Sequence, residues 1–220
     1  DFRYMPHNPL ILAAKHINDL EFINYLLDKG ASVSNISNNG MTPLMAAVMN
    51  NNLELVKIFY NNHSNINAKT NNGDTAMLYA SKYGDLELIE FLIDQGAAVM
   101  DKDDDNITAL MYASKHNSYE VVRNIIDEGA RVNKRDSSGR TSIYYAAAYN
   151  PDSRVVNLLV NNGADVNSKS KKGITPLMQA SAFNNYNIVK SLIENKAEVN
   201  SKTESGFTPI LYAAKYSNDP

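Results

Sequence analysis

One threonine recurs along the chain at an almost constant spacing. A polar turn such as NNG or SSG precedes it, and a short apolar segment such as PLMAAV follows it. The intervals are 33, 33, 33, 34 and 33 residues between Thr42, Thr75, Thr108, Thr141, Thr175 and Thr208. A fixed period of this length indicates stacked repeats, because each unit can bury its apolar faces only against its neighbours. The spacing therefore predicts a single repeat domain over residues 1–220.

Each unit contains the signals of two helices. The threonine suits the N-cap of a first helix, where its hydroxyl accepts a backbone N–H hydrogen bond. Pro43, Pro176 and Pro209 follow it at the first helical position, where no N–H is missed. Glycine and asparagine tolerate the left-handed conformation that closes many helices. We therefore predict that the first helices end at Asn51, Gly84, Asn117, Asn150 and Asn184.

A second helix follows in each unit, as in DLELIEFLIDQG at residues 85–96. Its broad apolar face is predicted to consist of Leu86, Ile89, Phe91, Leu92 and Ile93. The second helices are predicted to stop at Gly30, Gly96, Gly129 and Gly163.

Two of these stops lack glycine. His63 and Lys196 occupy the position, so we expect both to be left-handed. The single 34-residue interval is attributed to one extra residue in YNPDSR, residues 149–154, between the two helices of that unit.

The order of turn, capped helix and second helix resembles the ankyrin repeat, whose signature is T-P-L-H-x-A. The match covers six starting motifs, and a seventh, weaker one opens at NPLILAA, residues 8–14. The resemblance implies an all-α ankyrin-repeat solenoid of stacked β-turn and helix-turn-helix units. These units are expected at residues 1–37, 38–70, 71–103, 104–136, 137–170, 171–203 and, in part, 204–220.

The histidine of the signature is absent from every unit. Its place is taken by Met45, Leu78, Met111, Tyr144, Met178 and Leu211. The polar link that this histidine makes in the family is therefore missing, and we expect apolar packing to substitute for it.

Composition and motifs argue against several classes of function. The net charge is −3 and there is no cysteine, which argues against a nucleic-acid surface and excludes disulfides and thiolate metal sites. No apolar run approaches the roughly 18 residues of a membrane span. There is no phosphate-binding glycine loop and no G-x-S-x-G motif. We therefore predict no catalytic residues, no cofactor, no nucleic-acid partner and no membrane insertion.

The acidic segment DKDDDN, residues 101–106, is the best metal candidate. Asp101, Asp103 and Asp105 have the alternate spacing of an EF-hand loop, but Asn106 and Tyr112 replace the required glycine and glutamate. The four histidines (His7, His16, His63 and His116) have no metal-ligand spacing. We predict no metal site, and we interpret the segment as a solvated turn.

Aromatic residues recur four and eight positions after the threonine, on one face of the first helix. The resemblance implies that these residues line a concave surface where partners bind, together with the turn tips. The candidate groove residues are Tyr79, Tyr83, Tyr112, His116, Tyr145, Tyr149, Phe183, Tyr212 and Tyr216, and the candidate tip residues are Asn72, Asp74, Asp105, Arg140 and Lys172. The four-later position has a second interpretation, in which the ring packs against the next repeat.

Helices pack about 8–10 Å apart, and rings touch at about 4.5–7 Å between centroids. We therefore expect slots about one side chain wide between the aromatic residues of neighbouring repeats. We also expect Tyr83, Tyr149, Phe183 and Tyr216 to be partly exposed and to share one face with the turn tips.

The hypothesis that accounts best for these patterns is a non-catalytic protein–protein interaction scaffold, monomeric in isolation, that binds another protein or a peptide. The alternatives are a passive structural spacer, in which only stacking matters, and a targeting module of a larger multidomain protein. Residues 206–220 supply a turn and a first helix whose Ile210, Leu211 and Ala214 would face outward. We therefore expect the chain to have been cut from a longer array.

Overall fold

The structure is a computed structural model that describes residues 9–17, 19–183 and 185–216. The features predicted at residues 1–8, including His7, and the helix stop predicted at Asn184 lie outside these residues. The described residues form thirteen helices and no strand. They are α1 (Pro9–His16), α2 (Leu20–Asp28), α3 (Pro43–Met49), α4 (Leu53–Asn61), α5 (Ala76–Tyr83), α6 (Leu86–Asp94), α7 (Ala109–His116), α8 (Tyr119–Asp127), α9 (Ser142–Tyr149), α10 (Ser153–Asn161), α11 (Pro176–Ala182), α12 (Tyr186–Glu194) and α13 (Pro209–Tyr216).

The chain divides into two compact units, Asp1–Asp104 and Asp105–Pro220. In the first unit the first helices α1, α3 and α5 pack in sequence, and each contacts the second helix that follows it. In the second unit α7, α9, α11 and α13 pack in the same way, and the second helices α8, α10 and α12 pack beside them. The predicted all-α fold of repeated helix pairs is confirmed.

Four of the six recurring threonines cap the first helices as predicted. The hydroxyl oxygens of Thr42, Thr75, Thr108 and Thr175 accept the backbone N–H three residues later at 3.1–3.3 Å. Thr141 has the extended N-cap backbone but makes no side-chain cap bond. Its hydroxyl is 3.0 Å from the Ser168 hydroxyl instead. The predicted prolines begin α3, α11 and α13.

The second helices end in left-handed residues, as predicted. Each predicted glycine stop has a φ of 83–85°, and His63 and Lys196 have φ values of 66° and 67°. The buried residues of α6 are Leu88, Ile89 and Leu92. The predicted face of this helix thus omitted Leu88, while Leu86, Phe91 and Ile93 are only half-buried.

The predicted left-handed ends of the first helices are mostly wrong. Asn51 has a φ of 51°, but Gly84, Asn117 and Asn150 are extended, with φ values between −115° and −85°. A Cβ at Gly84 would lie 2.9 Å from the Ala80 carbonyl oxygen. Glycine is therefore needed there for a close approach of the backbone, and not for a positive φ.

The single 34-residue interval arises where the sequence predicts it. The turn between α9 and α10 is lengthened, and Asn150 fills it with a buried side chain. Its amide donates to the carbonyl oxygens of Ser114 at 3.1 Å and Asn117 at 3.0 Å. Asn150 thus caps the end of the first helix in the preceding repeat, as Asn50 does in a repeat without the extra residue.

The turns that precede the threonines form a hydrogen-bonded ladder. Asp104 donates its N–H to the Asn72 carbonyl in the first unit, and Lys171 donates to the Ser138 carbonyl in the second. Gly139 has a φ of 77°, and a Cβ there would lie 2.9 Å from the Lys171 nitrogen. The turn glycine is thus required both for its left-handed backbone and for the contact with the next turn.

Asparagine side chains also join neighbouring repeats, at the segments that follow the second helices. Asn133 donates to the Gly163 carbonyl at 2.7 Å and accepts the Asp165 N–H at 2.9 Å. Asn67 makes the same pair of bonds to Gly96 and Ala98. Part of the asparagine in the sequence therefore satisfies backbone groups where a second helix ends.

The position of the missing signature histidine is buried in five of the six repeats that contain it. Met45, Leu78, Met111 and Met178 are at most 1% exposed, and Tyr144 is 8% exposed. This confirms the prediction that apolar packing replaces the polar link.

The apolar end of the described chain is also confirmed. Ile210 and Leu211 on α13 are 74% and 48% exposed, and Ala214 is exposed as well.

The left-handed Lys196 provides a test of backbone strain. Lys196→Gly should raise the free energy of unfolding by about 0.5–1 kcal/mol, because a left-handed non-glycine residue costs about 1–2 kcal/mol and glycine costs about 0.5–1 kcal/mol of chain entropy. Gly163→Lys is the matched reverse change, because nothing lies within 4 Å of a Cβ built there. It should lower stability by a similar amount. Thermal unfolding measures both, and a lower melting temperature for Lys196→Gly would contradict the assignment.

The asparagine pairs provide a second test. Asn133→Ala should lower the free energy of unfolding by about 0.5–1.5 kcal/mol, because it removes two exposed hydrogen bonds whose backbone partners are then left to water. Ser34 occupies the corresponding position one repeat before Asn67. Ser34→Asn should therefore add two such bonds in the first unit and raise stability. Urea unfolding of both variants measures the effect, and an unchanged midpoint for Asn133→Ala would contradict it.

Candidate functional site

Aromatic side chains are exposed near the ends of four first helices. Tyr83, Tyr149, Phe183 and Tyr216 are 44%, 47%, 57% and 49% exposed, which confirms the predicted partial exposure. Tyr83 belongs to the first unit and the other three to the second. The prediction that all four share one face with the turn tips stays a prediction.

In the second unit three aromatic residues make a continuous row of ring contacts, which we call the aromatic strip: Tyr145, Tyr149 and Phe183. The ring centroids of Tyr145 and Tyr149 are 6.5 Å apart, and those of Tyr149 and Phe183 are 5.8 Å apart. The predicted slot between neighbouring repeats is therefore wrong for Tyr149 and Phe183. Their rings lean together across the gap between the helices, because contact removes apolar surface from water.

The strip rests on a buried polar network. The Tyr145 hydroxyl donates to Asp136 at 2.6 Å, and the Arg140 Nε donates to the same carboxylate oxygen at 2.7 Å. The other Asp136 oxygen accepts the backbone N–H groups of Ser138 and Arg140, both at 2.8 Å. The Arg140 guanidinium also lies 5.1 Å from the centre of the Tyr145 ring. Tyr145 itself is 5% exposed, so it supports the strip more than it presents a surface.

These contacts shift the ionisation of the network. Burial opposes ionisation of Asp136, but hydrogen bonds from Tyr145 and Arg140 and the guanidinium charge outweigh it and lower its pKa. Burial and the neighbouring carboxylate raise the pKa of Tyr145. The carboxylate is therefore charged and the phenol neutral at physiological pH.

A related but weaker pair stands in the first unit. The Tyr79 hydroxyl lies 3.3 Å from an Asp74 carboxylate oxygen, and burial followed by the Asp74 charge raises the pKa of Tyr79 to about 12. Beside it, the Lys82 ammonium lies 4.8 Å from the centre of the exposed Tyr83 ring.

The other predicted groove residues differ in their exposure to solvent. Tyr112 is half-buried, and His116 is exposed at the end of α7. Tyr212 is half-buried, with its ring 6.0 Å from Phe207 and 5.6 Å from Tyr216. The second interpretation, that the four-later ring packs against the next repeat, holds best for Tyr145, whose buried cluster contacts Ile174 of the next repeat but also includes Met111 of the preceding one.

The predicted tip residues also fall into two groups. Asn72, Asp105 and Lys172 are exposed. Asp74 and Arg140 are half-buried and engaged by Tyr79 and by the Asp136 network respectively, so they stabilise turns of their own repeats.

Lysines that accompany the rings were missed in the sequence. The Lys115 ammonium lies 4.6 Å from the centre of the Tyr149 ring, and the Lys215 ammonium lies 5.0 Å from Phe207 and 5.1 Å from Tyr216. Lys82, Lys115 and Lys215 all stand seven residues after the recurring threonine. That periodicity was a usable signal, one position before the predicted groove residue.

The described residues were also compared with the requirements of a metal site and of a membrane-spanning helix. Over these ranges no three histidine, aspartate or glutamate side chains are grouped so that they could hold a metal ion. Asp101, in the acidic segment, pairs with Lys69 at 3.1 Å. Within the same ranges no helix has the length and apolarity to cross a membrane.

The Asp136 network predicts a defined pH dependence. Asp136→Asn should lower the free energy of unfolding at pH 7 by about 1–3 kcal/mol, because the amide cannot accept all of the bonds that the carboxylate accepts. Because the folded pKa is lowered, this stabilisation is present above the unfolded pKa of about 4 and is lost as the pH falls through the folded value. The difference between the variant and the wild type should therefore shrink below about pH 4.

Asp152→Asn is the matched control for that experiment. Asp152 pairs with the exposed Arg154 and caps α10, and asparagine caps equally well. We expect little change in stability at either pH. Urea unfolding at several pH values measures both variants, and an Asp136→Asn deficit that persists unchanged in acid would contradict the proposed ionisation.

Comparison with known proteins agrees with this architecture. A family model described as ankyrin repeats (3 copies) matches residues 10–103, 45–136, 98–170 and 143–220. No curated protein matches the chain at a significant level. The matched ranges together cover nearly the whole sequence, with the helix pairs in the predicted order. The chain belongs to the ankyrin-repeat family.

Proposed function

We propose that the chain is a non-catalytic protein-interaction module whose second unit binds an extended peptide segment of another protein along the aromatic strip. The observation that carries this proposal is the contact of Tyr149 with Phe183, two exposed rings from consecutive repeats. Ankyrin repeats generally mediate protein–protein interaction, and the strip gives that general role a specific surface.

The strip has the physical properties of a binding surface. Aromatic rings bring a large apolar area with few rotatable bonds, so they bind at a small cost in side-chain entropy. Tyr149 is held from two sides, by Lys115 and by Phe183, and Tyr145 beneath it is fixed by Asp136. A partner would thus meet rings that are already ordered, which lowers the entropy lost on binding.

The alternative of a passive spacer accounts less well for these residues. A spacer requires only the buried faces that stack, and those are supplied by residues such as Met111 and Met178. About half of the Tyr149 and Phe183 side-chain surfaces remains in water instead. The strip and the Lys115 ammonium beside it offer phenol, phenyl and ammonium groups, which are suited to binding and not to acyl or phosphoryl transfer.

Selection from a library of random displayed dodecapeptides tests the proposal. We expect the purified chain to enrich a set of peptides, and we expect Tyr149→Ala and Phe183→Ala each to weaken their binding about tenfold or more, as at interface hot spots. Fluorescence polarisation with the labelled synthetic peptides measures the dissociation constants.

Tyr25→Ala is the matched control. Tyr25 lies on the second helix α2, is 58% exposed and has a lysine, Lys29, 5.3 Å from its ring centre. It therefore reproduces the exposed ring and its cation outside the strip. Failure to enrich any peptide, or an equal loss of binding in Tyr25→Ala, would contradict the proposal and favour the spacer.

A further inference from the structure

A small surface pocket lies beside the strip in the second unit, between the turn of the sixth repeat and α13. Its volume is about 190 Å³, equivalent to about six water molecules at about 30 Å³ each. Pockets for drug-sized ligands and cofactors occupy about 300–1,000 Å³. This pocket therefore has room for one side chain and not for a cofactor. Its main lining residues are Lys172, Thr203, Phe207, Tyr212, Lys215 and Tyr216.

The pocket presents donors that the described residues leave unused. Within these residues Lys172 and Lys215 make no ion pair, and the Tyr212 and Tyr216 hydroxyls make no hydrogen bond. The Thr203 hydroxyl oxygen accepts the Phe207 N–H at 3.1 Å, so its own hydrogen remains available. Two lysines and several hydroxyl-bearing residues thus line one pocket that contains no acidic residue.

The rings of the pocket do not offer a site for a cation. The Lys215 ammonium already lies within about 5 Å of both the Phe207 and the Tyr216 ring centres, where it is attracted by the electron-rich faces. A second cation would meet Lys215 and Lys172 and be repelled. The rings instead hold Lys215 in place, so that its ammonium is ordered before any ligand arrives.

The second unit, which contains the pocket, has a net positive charge, like the two lysines of the pocket. Residues 105–220 contain fourteen Lys and Arg against eleven Asp and Glu, a formal charge of +3, whereas residues 1–104 contain seven against thirteen, a formal charge of −6. None of the residues that line the pocket is acidic. Glu204 stands between Thr203 and Ser205 in the sequence, but its side chain is exposed and does not line the pocket.

We propose that this pocket receives a carboxylate of the peptide that binds the aromatic strip, with Lys172 and Lys215 as its counter-charges. This inference rests on the proposed function and specifies its partner: an acidic peptide with an apolar or aromatic residue for the strip. Charge-assisted hydrogen bonds to a carboxylate are stronger than neutral ones, and the pocket supplies them at a fixed place beside the rings. The pocket thus sets the register of the peptide along the helices.

The test compares peptides selected on the wild type with peptides selected on charge-reversed variants. We expect the wild type to enrich Asp or Glu at a fixed distance from an apolar residue. Lys172→Glu with Lys215→Glu should weaken the selected peptides about tenfold or more. Lys171→Glu with Lys202→Glu changes the net charge equally at two exposed lysines outside the pocket, and it should weaken them about threefold or less.

Three further measurements sharpen the result. Replacing the selected Glu of the peptide by Gln should cost the wild type about tenfold and the pocket variant little. Glu204→Gln should strengthen binding, since it removes a negative charge next to the pocket. Each peptide is measured as the free acid and as the C-terminal amide, which separates a side-chain carboxylate from a terminal one.

The outcomes distinguish this inference from the proposed function. If the wild type enriches no peptide, the proposed function fails. If it enriches peptides that depend on Tyr149 but carry no acidic residue, or if the Gln peptide binds as well as the Glu peptide, only the carboxylate pocket fails. Equal losses in the two charge-reversed variants would likewise overturn it, because the effect would then be one of net charge alone.

Discussion

The stacking of apolar side chains from consecutive repeats is the interaction on which the rest of the structure depends. In the second unit Met111 packs with Tyr144 and Tyr145 of the next repeat, and Ile107 and Ile174 close the cluster from the two sides. Each residue is covered only because a neighbour is present, so no helix pair could be stable alone. The turn ladder and the asparagine pairs fix the spacing of the stacked repeats, because their hydrogen bonds to backbone groups form only at that spacing.

Without the signature histidine, the buried polar contacts of the repeats lie nearer the turns. Where Met45, Leu78, Met111 or Met178 takes its place, the interior of the repeat has no titratable side chain at that position. Carboxylate–phenol pairs appear nearer the turns instead, as Asp136 with Tyr145 and as Asp74 with Tyr79. The two aspartates occupy different positions of their repeats, five residues and one residue before the threonine. The same carboxylate–phenol contact is thus made from two different positions of the repeat. Aligning the repeat sequences therefore does not reveal it.

Local signals in the sequence predicted most of the fold, and contacts between repeats account for what they missed. The period, the proline starts and the left-handed His63 and Lys196 depend on a few neighbouring residues, and they were predictable for that reason. The Thr141 hydroxyl, by contrast, is decided by Ser168, 27 residues away. The exposure of Phe183 followed from its place on the helix, but its contact with Tyr149 depends on how both side chains tilt. Helix spacing alone therefore predicted a slot where the rings meet.

The residues beside the rings show how one scaffold can carry different surfaces. The position before the ring is lysine in Lys115 and Lys215 but alanine in Ala148 and Ala182, directly before Tyr149 and Phe183. Where it is alanine, the rings of Tyr149 and Phe183 meet, and the Lys115 ammonium of the preceding repeat lies over Tyr149. Where it is lysine, an ammonium lies over a ring, as Lys215 does over Phe207 and Tyr216. Apolar and cationic patches can therefore alternate along the unit while buried residues such as Met111 and Met178 keep the repeats stacked. Under the proposed function, partner selectivity is therefore set by side chains outside the stacked core that residues such as Met111 and Met178 form.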